Sequence, residues 1–345
     1  MTVDLPNRLE LDGAALVANW RALAAMSGAA ACGAAVKADG YGLGAREVVA
    51  RLVAAGCRDL FVATWAEALA LGDCGAAVSV LHGVRAEDMA VARPPGARPV
   101  LSTAAQVARW REAGGGPCDV MVDTGMNRLG VAPDEVRDGL VDGLAIEVLM
   151  SHLACADEDS PMNAAQRDAF AGLRGRTTAR RMSLANSAGI ALGRDYRFDL
   201  TRPGIALYGG VPHAALAGAI RPVATIAAQV LQRRRVPAGQ SVGYNARWTA
   251  RADTDVAIVN LGYADGYWTG FSDRGIARAG DAPLPVVGRV SMDLTALDVS
   301  AAPDLREGDW VRFDPDLPVA ASASGMSQYE LLTGLGTRFA RVWVS

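Results

Sequence analysis

The chain has 345 residues, of which 51% are hydrophobic and 21% charged, and its formal net charge is −3. This length accommodates about two domains with well-buried cores, and the slightly acidic balance without basic clusters argues against a nucleic-acid-binding protein. No segment stays apolar for the roughly 18 residues that a membrane span requires.

The basic residues are distributed unevenly between the two residue types. Lysine and arginine together number 34, and only Lys37 is a lysine, so the other 33 are arginine. Arginine replaces lysine wherever only positive charge matters, but not where an amine must lose its proton and attack a carbonyl. Lys37 is therefore the first candidate for chemistry.

The five cysteines are scattered through the chain without CxxC spacing: Cys32, Cys57, Cys74, Cys118 and Cys155. Such cysteines are typical of small buried side chains in a reducing compartment, not of disulfides or a metal site. The N-terminus is acidic and polar, without the basic and apolar regions of a signal peptide. We expect a cytoplasmic enzyme without a metal.

In chain order, the first two-thirds alternate short apolar runs with helical segments. The runs predict eight buried strands at residues 34–37, 60–64, 78–82, 99–102, 119–123, 146–152, 182–186 and 204–208. Helical periodicity occupies residues 45–55, 65–71 and 163–173 between them. This alternation predicts an α/β fold, a (β/α)8 TIM-type barrel. A doubly wound sheet is the rival, but no GxGxxG fingerprint follows the first strand.

Polar residues fall at or just beyond the carboxyl ends of these predicted strands. In a (β/α)8 barrel, the active site is built at that end. The sequence therefore predicts one ring of candidate functional residues: Lys37, His82, Asp123, His152, Asn186, Ser187 and Tyr208.

After about Pro222 the helical periodicity fades and the pattern changes to short runs separated by Gly, Pro and Asp turns. The runs at residues 225–231, 255–261, 285–290 and 310–313 predict strands, and residues 315–327 a loop. We expect a barrel domain at 10–222 and a mainly β domain at 223–345 that also includes residues 1–9.

Ordered motifs along nearly the whole chain resemble those of alanine racemases, which are fold-type III barrel enzymes dependent on pyridoxal 5′-phosphate (PLP). Residues 35–42, which surround Lys37, resemble the PLP-binding motif of that family. The other matching segments are residues 122–130, 151–157, 185–187, 201–209, 241–244, 262–266, 288–293 and 328–330.

The resemblance implies a two-base mechanism. Lys37 would bind PLP as a Schiff base and act as a base on one face of the substrate α-carbon. Tyr244 would act as the base on the opposite face, and it would come from the partner subunit of a homodimer. His152 and Arg202 resemble the pair that assists this tyrosine. Arg202 would also face the pyridine nitrogen and keep it unprotonated, which favours racemisation over transamination.

The resemblance also implies the binding residues. Phosphate would be held by the backbone N–H groups of Gly204 and Ile205 together with Ser187, Tyr41 and Tyr329. Substrate would be bound by Arg128 and the backbone N–H of Met292, with Tyr263 limiting side-chain size and Asp293 and Asp157 lining the entrance.

Three positions depart from the family pattern. Met121 stands where many members have a lysine whose carbamate positions the equivalent of Arg128, so that arginine must be held by a bound anion or an amide such as that of Asn127. Leu43 and Gly40 replace a histidine and an alanine of the PLP motif. These departures affect positioning and substrate range, not the class of reaction.

The resemblance implies an alanine racemase that interconverts L- and D-alanine and supplies D-alanine for peptidoglycan. One alternative is a serine or broader-specificity racemase of the same fold. Another is a fold-type III decarboxylase, but no cysteine follows Cys155 and the required Gly-rich loop is missing. A non-catalytic PLP carrier would end at the barrel.

Overall fold

The structure, a computed structural model, describes residues 4–344. The chain forms two compact units. One unit is Leu16–Arg221, and the other combines the N-terminal segment through Ala15 with the residues from Pro222 onward. Among the helices of residues 4–344, none has the length and apolar character needed to cross a membrane.

The secondary structure follows the chain as alternating strands and helices, then mostly strands. The strands are β1 (Asn7–Asp12), β2 (Ala31–Cys32), β3 (Ala34–Ala35), β4 (Asp59–Val62), β5 (Ala77–Val80), β6 (Ala97–Leu101), β7 (Pro117–Met121), β8 (Ala145–Met150), β9 (Arg181–Ser183), β10 (Leu200–Thr201), β11 (Ala224–Val236), β12 (Ser241–Val242), β13 (Trp248–Thr249), β14 (Thr254–Val259), β15 (Ile276–Ala279), β16 (Ala282–Pro285), β17 (Thr295–Asp298), β18 (Trp310–Phe313) and β19 (Ala340–Val344). The helices are α1 (Gly13–Ser27), α2 (Lys37–Tyr41), α3 (Ala45–Ala55), α4 (Trp65–Leu71), α5 (Ala104–Glu112), α6 (Pro133–Arg137), α7 (Pro161–Ala171), α8 (Ser187–Ala191), α9 (Leu317–Ser324) and α10 (Gln328–Thr333).

The first unit is built on parallel strands in chain order. Strands β3 to β9 form one sheet, and β2 pairs with β10. Only Gly33 separates β2 from β3, and the backbone N–H of Asp199, next to β10, donates to Met182 of β9 at 3.0 Å. The strands thus curl into the (β/α)8-type arrangement that the alternating pattern predicts, and the predicted fold class is confirmed.

Two of the three helices that the periodicity predicts, α4 and α7, begin at side-chain caps, whereas α3 begins after Gly44 without one. Helices α3 and α4 have the predicted bounds. Helix α7 runs from Pro161 to Ala171 instead of 163–173, because the Ser160 hydroxyl accepts from the Met162 N–H and Pro161 occupies the first turn.

The predicted eighth strand is wrong. Residues Ile205–Tyr208 form a 3-10 helix, and the eighth strand of the barrel is β10 instead. The Ser187 hydroxyl accepts the N–H groups of Gly204 and Ala206, which are therefore not available to a strand ladder. A short, fully buried apolar run does not distinguish a strand from a buried helical turn.

The second unit is mainly β, as predicted. Its main sheet has the order β16-β15-β18-β11-β1-β19, and β14 pairs with both β11 and β17. The β1–β19 pair is parallel, whereas the partners of the long strand β11 all run antiparallel to it. One buried cluster of this unit consists of Val236, Ala250, Val256 and Val287.

Two predictions in this unit are wrong. The predicted loop at 315–327 contains helix α9, which begins where the Asp316 carboxylate accepts the Val319 N–H and ends at Gly325. The strand predicted at 285–290 is displaced, since β16 ends at Pro285. Gly288, with φ of 74°, donates its N–H to the Asp273 carboxylate, which interrupts the extended backbone.

Candidate active site

Lys37 lies two residues beyond the end of β3, at the start of an unusual turn. Ala38, Asp39 and Gly40 have φ values of 52°, 53° and 63°, so α2 includes a left-handed turn. Non-glycine residues adopt this conformation only at a cost in free energy. Backbone hydrogen bonds support it, including one from the Gly40 N–H to the Val36 carbonyl at 2.9 Å. The turn fixes the direction in which the chain leaves Lys37.

The surroundings of Lys37 favour its neutral amine. Burial lowers the pKa of Lys37, and the positive charge of Arg128 lowers it further, while Glu67 acts in the opposite direction. A lower pKa increases the fraction of the amine that is unprotonated and nucleophilic.

Arg202 is buried after β10 and is held by hydrogen bonds. Its guanidinium donates to the Ser183 hydroxyl and to the Ser151 carbonyl, the latter at 2.5 Å. Burial lowers the pKa of Arg202 to about 10, which still leaves the side chain cationic at neutral pH.

His152 lies among these cationic side chains. Burial lowers the pKa of His152 to about 3, and the charges of Arg202, Arg128 and Lys37 contribute to the lowering. The imidazole is therefore neutral at physiological pH. Lys37, His152 and Arg202 each lie just beyond the carboxyl end of a barrel strand, β3, β8 and β10 respectively. Together with the charge effects of Arg128 on Lys37 and His152, this places the four residues at one end of the barrel.

A second cluster collects most of the residues predicted to bind phosphate. The Ser187 hydroxyl accepts the Gly204 N–H at 2.8 Å. A Cβ atom at position 204 would lie 2.3 Å from the Tyr41 hydroxyl, so only glycine permits this approach. Ile205 is buried beside them. The Tyr41 ring stacks on Tyr208 with centroids 4.6 Å apart.

The loop that carries Arg128 is organised by Asp123, a role that sequence reasoning missed. Its carboxylate accepts the N–H groups of Gly125, Asn127 and Arg128 at 2.8, 3.1 and 3.0 Å. Partial burial alone would raise the pKa of Asp123, but these hydrogen bonds lower it. The Asp-x-Gly-x-Asn pattern is a signal that could have indicated such a turn.

The Asn127 amide, suggested from the sequence as a support for Arg128, donates instead to the Gly125 carbonyl at 3.5 Å. Met121 is buried at the end of β7. The described contacts of this loop thus hold the backbone of Arg128 through Asp123.

Of the other residues that the resemblance implies, Asp157 is exposed in the barrel unit, and the rest lie in the mainly β unit. Tyr244 begins a 3-10 turn between β12 and β13, and its side chain is 66% exposed. Tyr329 lies on α10 and is 45% exposed. The 3-10 turn contains Asn245 at a φ of 63°, so the backbone that presents Tyr244 has a defined, sparsely populated conformation.

Tyr263, Met292 and Asp293 lie close together within this unit. The Tyr263 N–H donates to the Ser291 carbonyl at 3.0 Å, beside Met292. A Cβ atom at position 262 would lie 2.3 Å from the Met292 carbonyl oxygen, so Gly262 permits the contact. The Asp293 carboxylate accepts from Arg338 at 2.7 Å.

The fold and the lysine-centred cluster define a (β/α)8-barrel enzyme with a mainly β second unit. Residues 11–212 match the alanine racemase N-terminal domain, and residues 223–343 match the alanine racemase C-terminal domain. The chain belongs to the alanine racemase family. The family and fold class predicted from the motifs are confirmed.

Individual relatives cover nearly the whole chain. It is 43% identical to the alanine racemase of Acidiphilium cryptum, over 97% of this chain and 98% of that protein. It is also 43% identical to the catabolic alanine racemase of Agrobacterium fabrum, over 97% of this chain and 92% of that protein. The crystal structure of the Bartonella henselae alanine racemase with covalently bound pyridoxal phosphate matches with a TM-score of 0.90 and 33% identity, covering 99% of this chain and all of that one.

Proposed function

We propose that this chain is a PLP-dependent alanine racemase that interconverts L- and D-alanine, with Lys37 as its cofactor-binding residue. The observation that carries the proposal is the placement of the chain's only lysine, with a pKa lowered by burial, beside His152, Arg128 and Arg202 in a barrel of this family.

The residues present fit the cofactor. An aldehyde requires a neutral amine, and the environment of Lys37 favours that form. A phosphate monoester requires close backbone approach and hydroxyl partners, which Gly204 and Ser187 offer. Tyr41, Ile205 and Tyr329 complete the proposed phosphate-binding set.

When bound, PLP supplies an electron sink that weakens the α-carbon–hydrogen bond of an amino acid. Lys37 removes or returns the proton on one face of that carbon, and Tyr244 acts on the other face. Arg202 keeps its positive charge and does not protonate the pyridine nitrogen, which limits the electron sink and favours return of the proton to the α-carbon.

His152 and Arg202 assist Tyr244 in this proposal. The neutral imidazole of His152 can accept or donate a hydrogen bond without adding a further positive charge. Tyr244 comes from the partner subunit of a homodimer, and its 66% exposure in the single chain supports a role toward another chain. The barrel, residues 10–222, holds the cofactor, and the domain from residue 223 supplies Tyr244.

Substrate binding uses charge and size. The Arg128 guanidinium and the Met292 N–H bind the amino-acid carboxylate, Tyr263 limits side-chain size, and Asp293 lines the entrance. The hydrogen bond from Arg338 supports a fixed orientation of the Asp293 carboxylate. In the cell, the enzyme acts in the cytoplasm and supplies D-alanine for peptidoglycan.

A racemisation assay tests the substrate. The purified chain with PLP is incubated with single enantiomers of alanine, serine and larger amino acids, and the product enantiomers are separated on a chiral column. We expect alanine to have the highest kcat/KM in both directions. A higher value for serine would replace the substrate assignment, and no racemisation of any amino acid would refute the function.

The replacement Gly204→Ala tests the phosphate site. The new Cβ would displace the Tyr41 hydroxyl, and overpacking of this kind typically costs about 1–3 kcal/mol, so we expect PLP affinity to fall on the order of tenfold or more. Spectroscopic titration of the cofactor-free protein with PLP measures the Kd. In the control Gly172→Ala, the Cβ meets nothing closer than 3.5 Å. Equal Kd values for both variants would contradict the assignment.

A further inference from the structure

Glu67 joins the ends of two neighbouring barrel strands. It is the third residue of α4 and forms a capping box with Thr64. One carboxylate oxygen accepts the Ala63 N–H at 2.6 Å and the Thr64 N–H at 3.2 Å, beyond the end of β4. The other oxygen accepts the Ala38 N–H at 2.7 Å, immediately after Lys37. An ordinary capping-box glutamate makes only the first kind of contact.

The bond to Ala38 lies where the backbone is most constrained. Ala38 begins the left-handed turn, and it is a non-glycine residue that would relax to an ordinary conformation without support. Within the turn, the Asp39 carboxylate accepts the N–H of Ala45, the first residue of α3, at 2.8 Å. Glu67 therefore holds the end of the turn that adjoins Lys37.

The helix that carries Glu67 is a firm support. Trp65, two residues earlier, is buried and its indole N–H donates to the Gly83 carbonyl at 2.9 Å. Ala68 and Leu71 are also buried. A carboxylate fixed in this way can restrain a strained backbone segment, as the supporting residues of precise active sites do.

The charge of Glu67 also acts on the lysine. It opposes the effect of Arg128 on the pKa of Lys37. Both the hydrogen bonds and the charge thus connect Glu67 to the residue that would carry the cofactor.

We propose that Glu67 is a positioning residue, which fixes the backbone next to Lys37 and thereby aims the lysine's amine during proton transfer. This inference rests on the proposed racemase function. Glu67 has no contact with reacting atoms in this proposal and acts only through Lys37.

The chain offers a matched control for this proposal. Glu135 is also the third residue of a helix, α6, and its carboxylate accepts the Ala132 N–H at 2.7 Å. Substitutions at Glu135 remove a comparable helix cap but no contact next to Lys37. The comparison separates the effect of losing a helix cap from the effect of losing the hydrogen bond between Glu67 and Ala38.

The test compares Glu67→Gln and Glu67→Ala with Glu135→Gln and Glu135→Ala in the PLP-loaded enzyme. A misplacement of about 1 Å can cost on the order of 10²-fold in rate, so we expect kcat to fall by that order in Glu67→Ala and less in Glu67→Gln, with a smaller change in KM. The Glu135 variants should keep wild-type kcat.

Two further measurements report on positioning itself. With α-deuterated alanine, the Glu67 variants should show a larger primary isotope effect for only the enantiomer whose proton Lys37 removes. Hydrogen exchange followed by mass spectrometry should show faster exchange in a peptide covering residues 38–41, and the Glu135 variants should show neither change.

Each outcome decides the proposal. If the Glu67 and Glu135 variants match in kcat, isotope effect and exchange, Glu67 is only a helix cap and the proposal is overturned. If Glu67→Ala does not fold, Glu67→Gln gives the same comparison. An inactive wild-type enzyme would refute the racemase function, and unchanged exchange at residues 38–41 would separately refute the support of the turn.

Discussion

Replacement of Lys37 by alanine will abolish racemisation and covalent attachment of PLP, and Lys37→Arg will do the same although it keeps the positive charge. A guanidinium does not lose its proton at neutral pH and cannot attack the aldehyde. Loss of a covalent catalytic group costs several orders of magnitude in rate. Borohydride reduction followed by peptide mapping measures the attachment, because the chain has one lysine and one expected modified side chain.

A lysine placed elsewhere provides the control for that experiment. Arg46 is an exposed residue of α3, and Arg46→Lys adds a second amine outside the site. We expect this variant to retain wild-type activity and to be reduced only at Lys37. A reducible lysine adduct at position 46, or a stable PLP adduct in Lys37→Ala, would show that the environment of Lys37 is not what directs attachment.

Much of the barrel could be predicted because its strands are buried and its helices amphipathic. The alternation of apolar runs with helical segments indicated the strand order, and helices α3 and α4 have the predicted bounds. The error at Ile205–Tyr208 arose because hydrogen bonds to the Ser187 hydroxyl, distant in sequence, decide the local conformation there. Helix α9 was missed because its small residues bury no clear apolar face.

The candidate site was less predictable in its supporting contacts than in its main residues. The position of Lys37 at a strand end follows from the pattern of the predicted strands. Arg128 and Arg202, the arginines of the cluster around it, were implied only by the resemblance to the alanine racemase motifs. The hydrogen bond between Glu67 and Ala38 joins two residues that are 29 positions apart in sequence and lie beyond the ends of two different strands. No local pattern indicates such a contact, because a backbone N–H carries no sequence signal.

Composition and structure together limit how Arg128 can be held. The chain has no lysine other than Lys37. No carbamylated lysine can therefore hold Arg128 in the way that the resemblance implies for family members with a lysine at the position of Met121. The Asp123 carboxylate instead bonds to the backbone N–H groups of the loop. These hydrogen bonds fix the Arg128 backbone, while Arg128 itself is an exposed residue.

The replacement Tyr244→Phe will suppress racemisation by several orders of magnitude while sparing exchange of the α-hydrogen on one enantiomer. Phenylalanine keeps the ring but removes the hydroxyl, so only Lys37 remains to remove a proton and return it on the same face. In D2O, we expect one alanine enantiomer to incorporate deuterium without inversion. Mass spectrometry of the separated enantiomers measures both processes, and Tyr196→Phe, in the barrel unit, serves as the control.

Mixing the two inactive variants, Lys37→Ala and Tyr244→Phe, tests whether Tyr244 serves the partner subunit. If each site combines Lys37 of one chain with Tyr244 of the other, a mixed dimer contains one intact site and one doubly altered site. Random exchange of subunits makes about half of the dimers mixed, which restores about a quarter of wild-type activity. Native mass spectrometry confirms that the subunits have exchanged. If activity does not recover after exchange, both bases belong to the same chain. In the separate D2O experiment, equal deuterium incorporation into both enantiomers by Tyr244→Phe would remove Tyr244 from its proposed role.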